Sequence, residues 1–258
     1  MAARRRPSEQ PESLALVLRR TPYGEADLVV LLFSRELGRI SALARSARKS
    51  ERRFGGHLEP FHTLSVQLDP GAGSSLARLG EARIVTPRPH LLDNSRALFA
   101  AGKFTQWIRH AATENTPEPE LWALAESCLD QLDGAVRDAP RSKPLEPTPS
   151  HPQPPSATLT LATHGLRLLV ACGWRLELER CVQSGVRCPP GKTAMIDPER
   201  GGLISAVHGG APFKVDGPTR QRLITTQAGL ADALEEADAD LALQLVERCL
   251  RAHAGFEA

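Results

Sequence analysis

The chain has 258 residues, 41% of them hydrophobic and 24% charged, with a net charge of +2, the make-up of a folded protein with room for two domains and not of a disordered or fibrous one. No apolar run approaches the ~20 residues that span a bilayer, and the basic start MAARRRPSEQPE leads into no stretch of signal-peptide length, so a cytoplasmic protein without a membrane partner is expected. Five cysteines, an odd number without a secretory leader, are expected as reduced thiols.

The small net charge conceals an uneven split. Residues 1–58 hold twelve Lys/Arg against six Asp/Glu, whereas the other 200 hold twenty against twenty-four. A basic N-terminal part suited to a polyanion, followed by a mildly acidic part, is the pattern expected from that division.

In chain order, SLALVLRR (13–20), LVVLLFS (28–34), ISALARSA (40–47), FHTLSVQLD (61–69) and LARLGEARIV (76–85) read as strands, separated by the turns PYGEAD, RELGR and PGAGSS. The glycine of RELGR falls where a turn wants positive φ. Five short strands with one irregular stretch between the third and fourth predict a small Greek-key barrel of OB type, and an SH3-like barrel fits the strand count nearly as well. After TPRPH (86–90) the period lengthens. Residues 91–113 and 118–136 carry apolar side chains at helical spacing, including Phe99, Trp107 and Trp122, which read most simply as core. Further helices fit 157–172, 217–227 and 238–253, and 173–216 has neither helical nor strand periodicity. DAPRSKPLEPTPSHPQPPSA (138–157) holds seven prolines and reads as a solvated, extended insertion. The fold class is therefore α+β: an OB barrel over residues 1–86, then a mainly helical domain over 87–258.

RSARKSERRF (45–54) packs Arg45, Arg48, Lys49, Arg52 and Arg53 into nine positions. Cations that neutralise phosphates release condensed counterions, the main source of sequence-independent affinity for nucleic acid. With Arg35 and Arg39 on a neighbouring turn, these seven residues are the candidate DNA-binding set, and Tyr23 and Phe54 are the candidate stacking aromatics. The bland alternative, a solvated surface loop, fits the charge run alone. CPPGKT (188–193) imitates a phosphate-binding loop, but Gly185 is one residue too far away and Pro189 and Pro190 lack the N–H groups a phosphate cradle needs. The eight histidines are scattered and form no catalytic motif, so no enzyme is expected.

The stretch VLRRTPYGEADLVVLLFSRELGRISALARSARKSERRFGGHLEPF (17–61) resembles the N-terminal domain of the bacterial RecO recombination mediators. The YGE-x-D turn, the apolar strand ending in x-x-E-x-G, and the A-R-x-A-R-K segment before L-x-P-F carry the likeness. ALFAAGKFTQWIRHAATENTPEPELWALAESCLDQLD resembles that family's paired helices, and LATHGLRLLVACGWRLELERC resembles the approach to its metal-binding loop. The resemblance implies a non-enzymatic mediator of DNA repair and homologous recombination in the RecF pathway. Such a protein binds single- and double-stranded DNA and anneals complementary strands. It assists RecA loading together with RecR, receives the C-terminal tail of the single-strand-binding protein, and works at the bacterial nucleoid. A generic OB-fold RNA- or DNA-binding protein without mediator activity is the alternative, and a pure interaction scaffold is a third.

Two departures from the family pattern carry expectations. Ser46 stands where the family commonly has glycine, so a different local backbone is expected there. In the degenerate zinc-finger-like segment 178–212, the four ligand positions correspond to Cys181, Ser184, Ser205 and His208. A serine hydroxyl is a poor zinc ligand, and no cofactor is expected. Were zinc held, Cys181, Cys188 and His208 are the donors on offer. Without it, packing of Leu203, Ile204 and Val207, with turns at Gly201 and Gly202, would hold the segment.

Overall fold

The computed structural model describes residues 12–69, 76–137, 155–230 and 233–255, with Glu51 and Arg52 described by backbone only. Arg4–Arg6 and most of the proline-rich insertion, 138–154, lie outside these residues. The chain divides into two compact units. The first runs to Arg88 and takes in Ala112–Glu126; the second comprises Pro89–Ala111 and the chain from Ser127 onward.

Five strands build the first unit: β1 (Glu12–Tyr23), β2 (Asp27–Ser34), β3 (Gly38–Ala44), β4 (Thr63–Asp69) and β5 (Ala77–Thr86). They close in the order β1-β2-β3-β5-β4, with β4 returning to β1. Every pairing is antiparallel except β3 with β5. That parallel closure, with the single-turn helix α1 (Glu51–Phe54) between β3 and β4, is the OB arrangement and decides against the SH3-like one. Ala15, Val17, Val30, Leu32, Ala42, Leu64, Val66 and Leu79 alternate into one barrel core, as the period of two requires. β2 reads as unbroken apolar sequence because both its faces are covered: Phe33, on the outer face, lies 5.8 Å from the Trp122 ring. Pairing skips Leu18 in β1, and Gly80 and Val85 in β5, bulges of the kind that bend strands around a barrel. Gly38 takes φ +70°, and a Cβ there would stand 2.0 Å from the Thr116 carbonyl oxygen. The RELGR turn thus needs glycine for both conformation and room.

Helices build most of the second unit: α2 (Ser95–Ala111), α3 (Pro119–Arg137, its residues beyond Glu126), α4 (Ala157–Ala171), α5 (Gly217–Gln227) and α6 (Ala239–Ala254). Pro119 opens α3 at the position that has no N–H to lose. Ser156 caps α4 through the Leu159 N–H, and Asp216 caps α5 through the Thr219 N–H. Phe104, Trp107 and Ile108 of α2, Leu161, Leu166 and Leu169 of α4, and Leu245, Val246 and Leu250 of α6 are buried. His164 is fully buried too, with Nδ1 at 2.9 Å from the Thr160 carbonyl; it is a core residue.

Segment 173–216 departs from the sequence reading, because it contains a sheet. β6 (Ala194–Asp197) lies between β7 (Gly202–Leu203) and β8 (Phe213–Val215). Strands of two to four residues are too short for a period to register. Leu203 and Ile204 are buried as expected, but Val207 is 91% exposed, because the 3₁₀ turn Ala206–His208 carries it outward. Arg220, 3% exposed, holds the ribbon from inside: its guanidinium donates to the carbonyls of Leu178 at 3.1 Å, Cys188 at 3.4 Å and Pro189 at 2.5 Å.

Candidate nucleic-acid interface

The basic segment leaves β3 at the end of the barrel where the β1–β2 turn also lies, and main-chain bonds stitch the two together. The Arg48 N–H donates to the Ala26 carbonyl at 3.0 Å, and the Ser46 N–H to Asp27 Oδ1 at 2.7 Å. Arg53 closes the segment from the far side, donating to the Arg45 carbonyl at 2.9 Å and to Ser50 Oγ at 3.3 Å. The Arg48 guanidinium reaches the Glu25 carbonyl at 3.3 Å. The backbone is held while the charge stays near the surface: Arg45, Arg48 and Lys49 are exposed and Arg53 is half-buried. Among the described residues, no carboxylate lies within ion-pair distance of these four. The Arg52 side chain is outside the described residues.

The seven candidate residues do not form one patch. Arg35 and Arg39 lie at the β2–β3 turn, the opposite end of a hairpin whose strands span roughly 20 Å. Arg35 faces Glu36 at 3.9 Å, and Arg39 pairs with Glu114 at 3.2 Å. Both already have carboxylates. The two stacking candidates also separate. Tyr23, at the end of β1, is 60% exposed, but Phe54 is only 2% exposed and has the Arg53 guanidinium 5.2 Å above its ring. Phe54 belongs to the barrel core and offers no open face.

Ser46 takes φ +56°, the left-handed conformation that glycine adopts without strain. The turn therefore has a backbone that glycine would adopt freely, and the bond from the Ser46 N–H to Asp27 ties it to the β1–β2 turn.

Sequence reasoning missed a cleft beside the basic segment. It has a volume of about 510 Å³, floored by Leu28, Ala47, Phe54 and Leu58 and rimmed by Arg20, Arg48 and Glu59. Arg20 and Glu59 pair at 2.6 Å across its mouth. Nothing in the local pattern around Glu59 signals this, since the pair joins residues 39 positions apart.

In the second unit, Phe99 is 68% exposed instead of core. It lines a cleft of about 280 Å³ with Ala100, Leu161, Leu243, Arg96 and Lys103. The Lys103 ammonium lies 5.7 Å from the Phe99 ring centre and pairs with Glu247.

The donors named for zinc do not assemble. Among the described residues, no three His, Cys, Asp or Glu side chains are placed to hold a metal ion. Cys181 Sγ instead accepts the Ser205 N–H at 3.4 Å, Cys188 Sγ lies 3.9 Å from the Pro189 carbonyl, and His208 is exposed. The Ser184 hydroxyl and the Ser205 N–H lower the Cys181 thiol to about 6, against a smaller opposing effect of burial. Cys181 packs with Ala194 and Leu203, and Cys188 lies against them. This donor set does not fit a closed tetrahedral site.

Residues 10–88 match the family model described as Recombination protein O N terminal. The chain is 32% identical over 224 residues to the DNA repair protein RecO of Anaeromyxobacter sp. (strain K), covering 86% of this chain and 81% of that protein. It is 32% identical over 181 residues to the RecO of Geobacter metallireducens, covering 70% and 66%. Against the RecO of Myxococcus xanthus it is 42% identical over 129 residues, 48% of this chain and 51% of that one.

Proposed function

The chain belongs to the RecO family, and from that membership we propose that it serves DNA repair and recombination as a mediator that binds single- and double-stranded DNA and anneals complementary strands. The observation that carries the reading is the basic segment 45–53: cations pinned by their backbone to a closed barrel, with no carboxylate partner among the described residues. Complementary strands repel through their phosphates. A surface that takes up those phosphates replaces condensed counterions and lowers the cost of bringing two strands together. The phosphate carries no sequence information, so annealing by this route is indifferent to sequence. No bond is made or broken, and the role is not enzymatic.

Partner binding extends the proposal. The Phe99 cleft combines an apolar floor with Arg96 and Lys103, which suits an acidic peptide with an apolar end, the chemistry of the single-strand-binding protein's C-terminal tail. Assistance to RecA, together with RecR, follows from the family role. The segment 178–212 is proposed to keep its shape without zinc, through hydrogen bonds to Cys181 and the Arg220 contacts. Elemental analysis of protein purified without chelator checks this, and stoichiometric zinc contradicts it. No helix among the described residues is long and apolar enough to cross a membrane, which is compatible with work at the nucleoid.

The deciding assay is annealing of complementary strands coated with single-strand-binding protein. Acceleration by this chain, lost when Arg45, Arg48, Lys49, Arg52 and Arg53 are replaced together, is the expected result. Binding of single strands without acceleration leaves the generic nucleic-acid-binding alternative. Binding of neither DNA nor RNA leaves the scaffold.

A further inference from the structure

We infer that the cleft beside the basic segment is a nucleobase site, which takes one unstacked base of a single strand while the neighbouring cations hold its flanking phosphates. The inference rests on the DNA-binding reading and adds what phosphate contacts alone lack, a means of telling single strands from duplex.

The chemistry of the cleft selects its occupant. Its volume of about 510 Å³ falls within the ~300–1,000 Å³ usual for small-ligand sites. Pro22, Leu28 and Ala47 give the cleft an accessible apolar wall for a flat ring, and Phe54 and Leu58, 2% and 3% exposed, back that wall from the core. Arg48 stands at the rim, where it meets phosphates and not the ring. Glu59, 2.6 Å from Arg20, gives the same rim a carboxylate acceptor. A base edge presents donors and acceptors side by side, and an arginine–glutamate pair offers the complement of both. The carboxylate also argues against an acidic peptide, which the Phe99 cleft, with cations at its rim, would take instead.

The alternative stacking site is Tyr23, which is 60% exposed at the end of β1. Stacking there needs a free base face but no cleft. In the cleft, a base must leave its stack. This costs a few kcal/mol in a duplex and much less in a single strand, so the site favours single strands.

The test compares a labelled thymidine 20-mer with an abasic oligonucleotide of the same length, which keeps every phosphate and lacks every base. Fluorescence anisotropy at fixed salt should give roughly fivefold or greater weakening for the abasic strand, the size of one base–protein stacking contact. Ala47→Phe, which fills the cleft without changing charge, should bring the two strands to nearly equal affinity and leave the salt dependence unchanged. Equal affinity of the two strands for the wild-type chain overturns the inference. So does a difference that survives Ala47→Phe, because the base is then held elsewhere. If neither strand binds at low salt, the DNA-binding reading itself fails, and this inference with it. Should Ala47→Phe not fold, photocrosslinking of a 5-iodouracil strand to the wild-type chain decides: adducts within 47–58 support the cleft, and adducts confined to Tyr23 overturn it.

Discussion

In the second unit, Arg220 and Arg222 are tied inward. Arg220 donates to three main-chain carbonyls while 3% exposed, and Arg222 meets Asp238 through Nε at 2.6 Å. Burial works to raise the Asp238 carboxyl, yet the Arg222 guanidinium, the Glu235 N–H and the Thr219 hydroxyl hold it below the ordinary carboxylate range. In the barrel, the segment 45–53 fixes its own backbone and leaves Arg45, Arg48 and Lys49 exposed, without carboxylates among the described residues. The same residue types thus serve structure in one place and, on the proposed reading, a ligand in the other. What separates the two settings is burial and charge: Arg220 is buried and Arg222 is neutralised by a buried carboxylate, while Arg48 and Arg53 also reach carbonyls but keep their charge near the surface without a carboxylate among the described residues.

The contrast breaks most readily through stability. Arg220→Ala leaves three carbonyls without their donor, and should cost about 3 kcal/mol. Arg48→Ala removes a surface charge and should stay within about 0.5 kcal/mol. Urea denaturation followed by tryptophan fluorescence measures both, and similar costs would erase the distinction. Gly38→Ala tests the barrel's frame separately from its charge. With the Thr116 carbonyl in the way and φ at +70°, a loss of at least ~2 kcal/mol is expected in the same experiment.

A smaller effect of opposite sign belongs to Ser46. Relief of left-handed strain by Ser46→Gly should stabilise the barrel by about 1 kcal/mol or less, after the entropy that glycine loses. DNA affinity should be unchanged, because the bond to Asp27 is made by the main-chain N–H, which glycine keeps.

The last comparison concerns the thiols and is read through pH. Burial pushes Cys249 up to about 12, whereas Cys181 is lowered to about 6. A thiol lowered by folding is protonated in both states below pH 6. Between pH 6 and its ordinary value of 9.0 it is ionised only in the folded chain. Stability from Cys181 is therefore complete above pH 9 and lost as pH falls through 6. Cys181→Ser should flatten that rise between pH 6 and 9 in a denaturation series. An unchanged slope in the variant contradicts the hydrogen-bonded thiolate.

Much of this was legible in the sequence, for identifiable reasons. The barrel strands run for seven or more residues, long enough for alternation in most and for an unbroken apolar run in β2 to register, and Gly38, Pro119 and the long helical periods declare themselves locally. The small sheet in 194–215 did not, because its strands are too short to carry a pattern. Phe99 and Phe54 misled in opposite directions. On an amphipathic helix, spacing alone cannot tell a ring on the core stripe from one at its edge, and a phenylalanine beside arginines looks available until a core is built around it. The Arg20–Glu59 pair and the Arg35/Arg39 separation are tertiary, set by hairpin length and by a contact across 39 positions.

The central claim is that the pinned cations of 45–53 meet phosphates, and the salt dependence of single-strand binding tests it most directly. Each phosphate neutralised on a single strand contributes ~0.7 to the slope of log affinity against log salt, so replacing Arg45, Arg48, Lys49, Arg52 and Arg53 together should lower its magnitude by roughly 3. Circular dichroism on the same sample establishes that the variant is folded. A folded variant that binds with the wild-type slope contradicts the account.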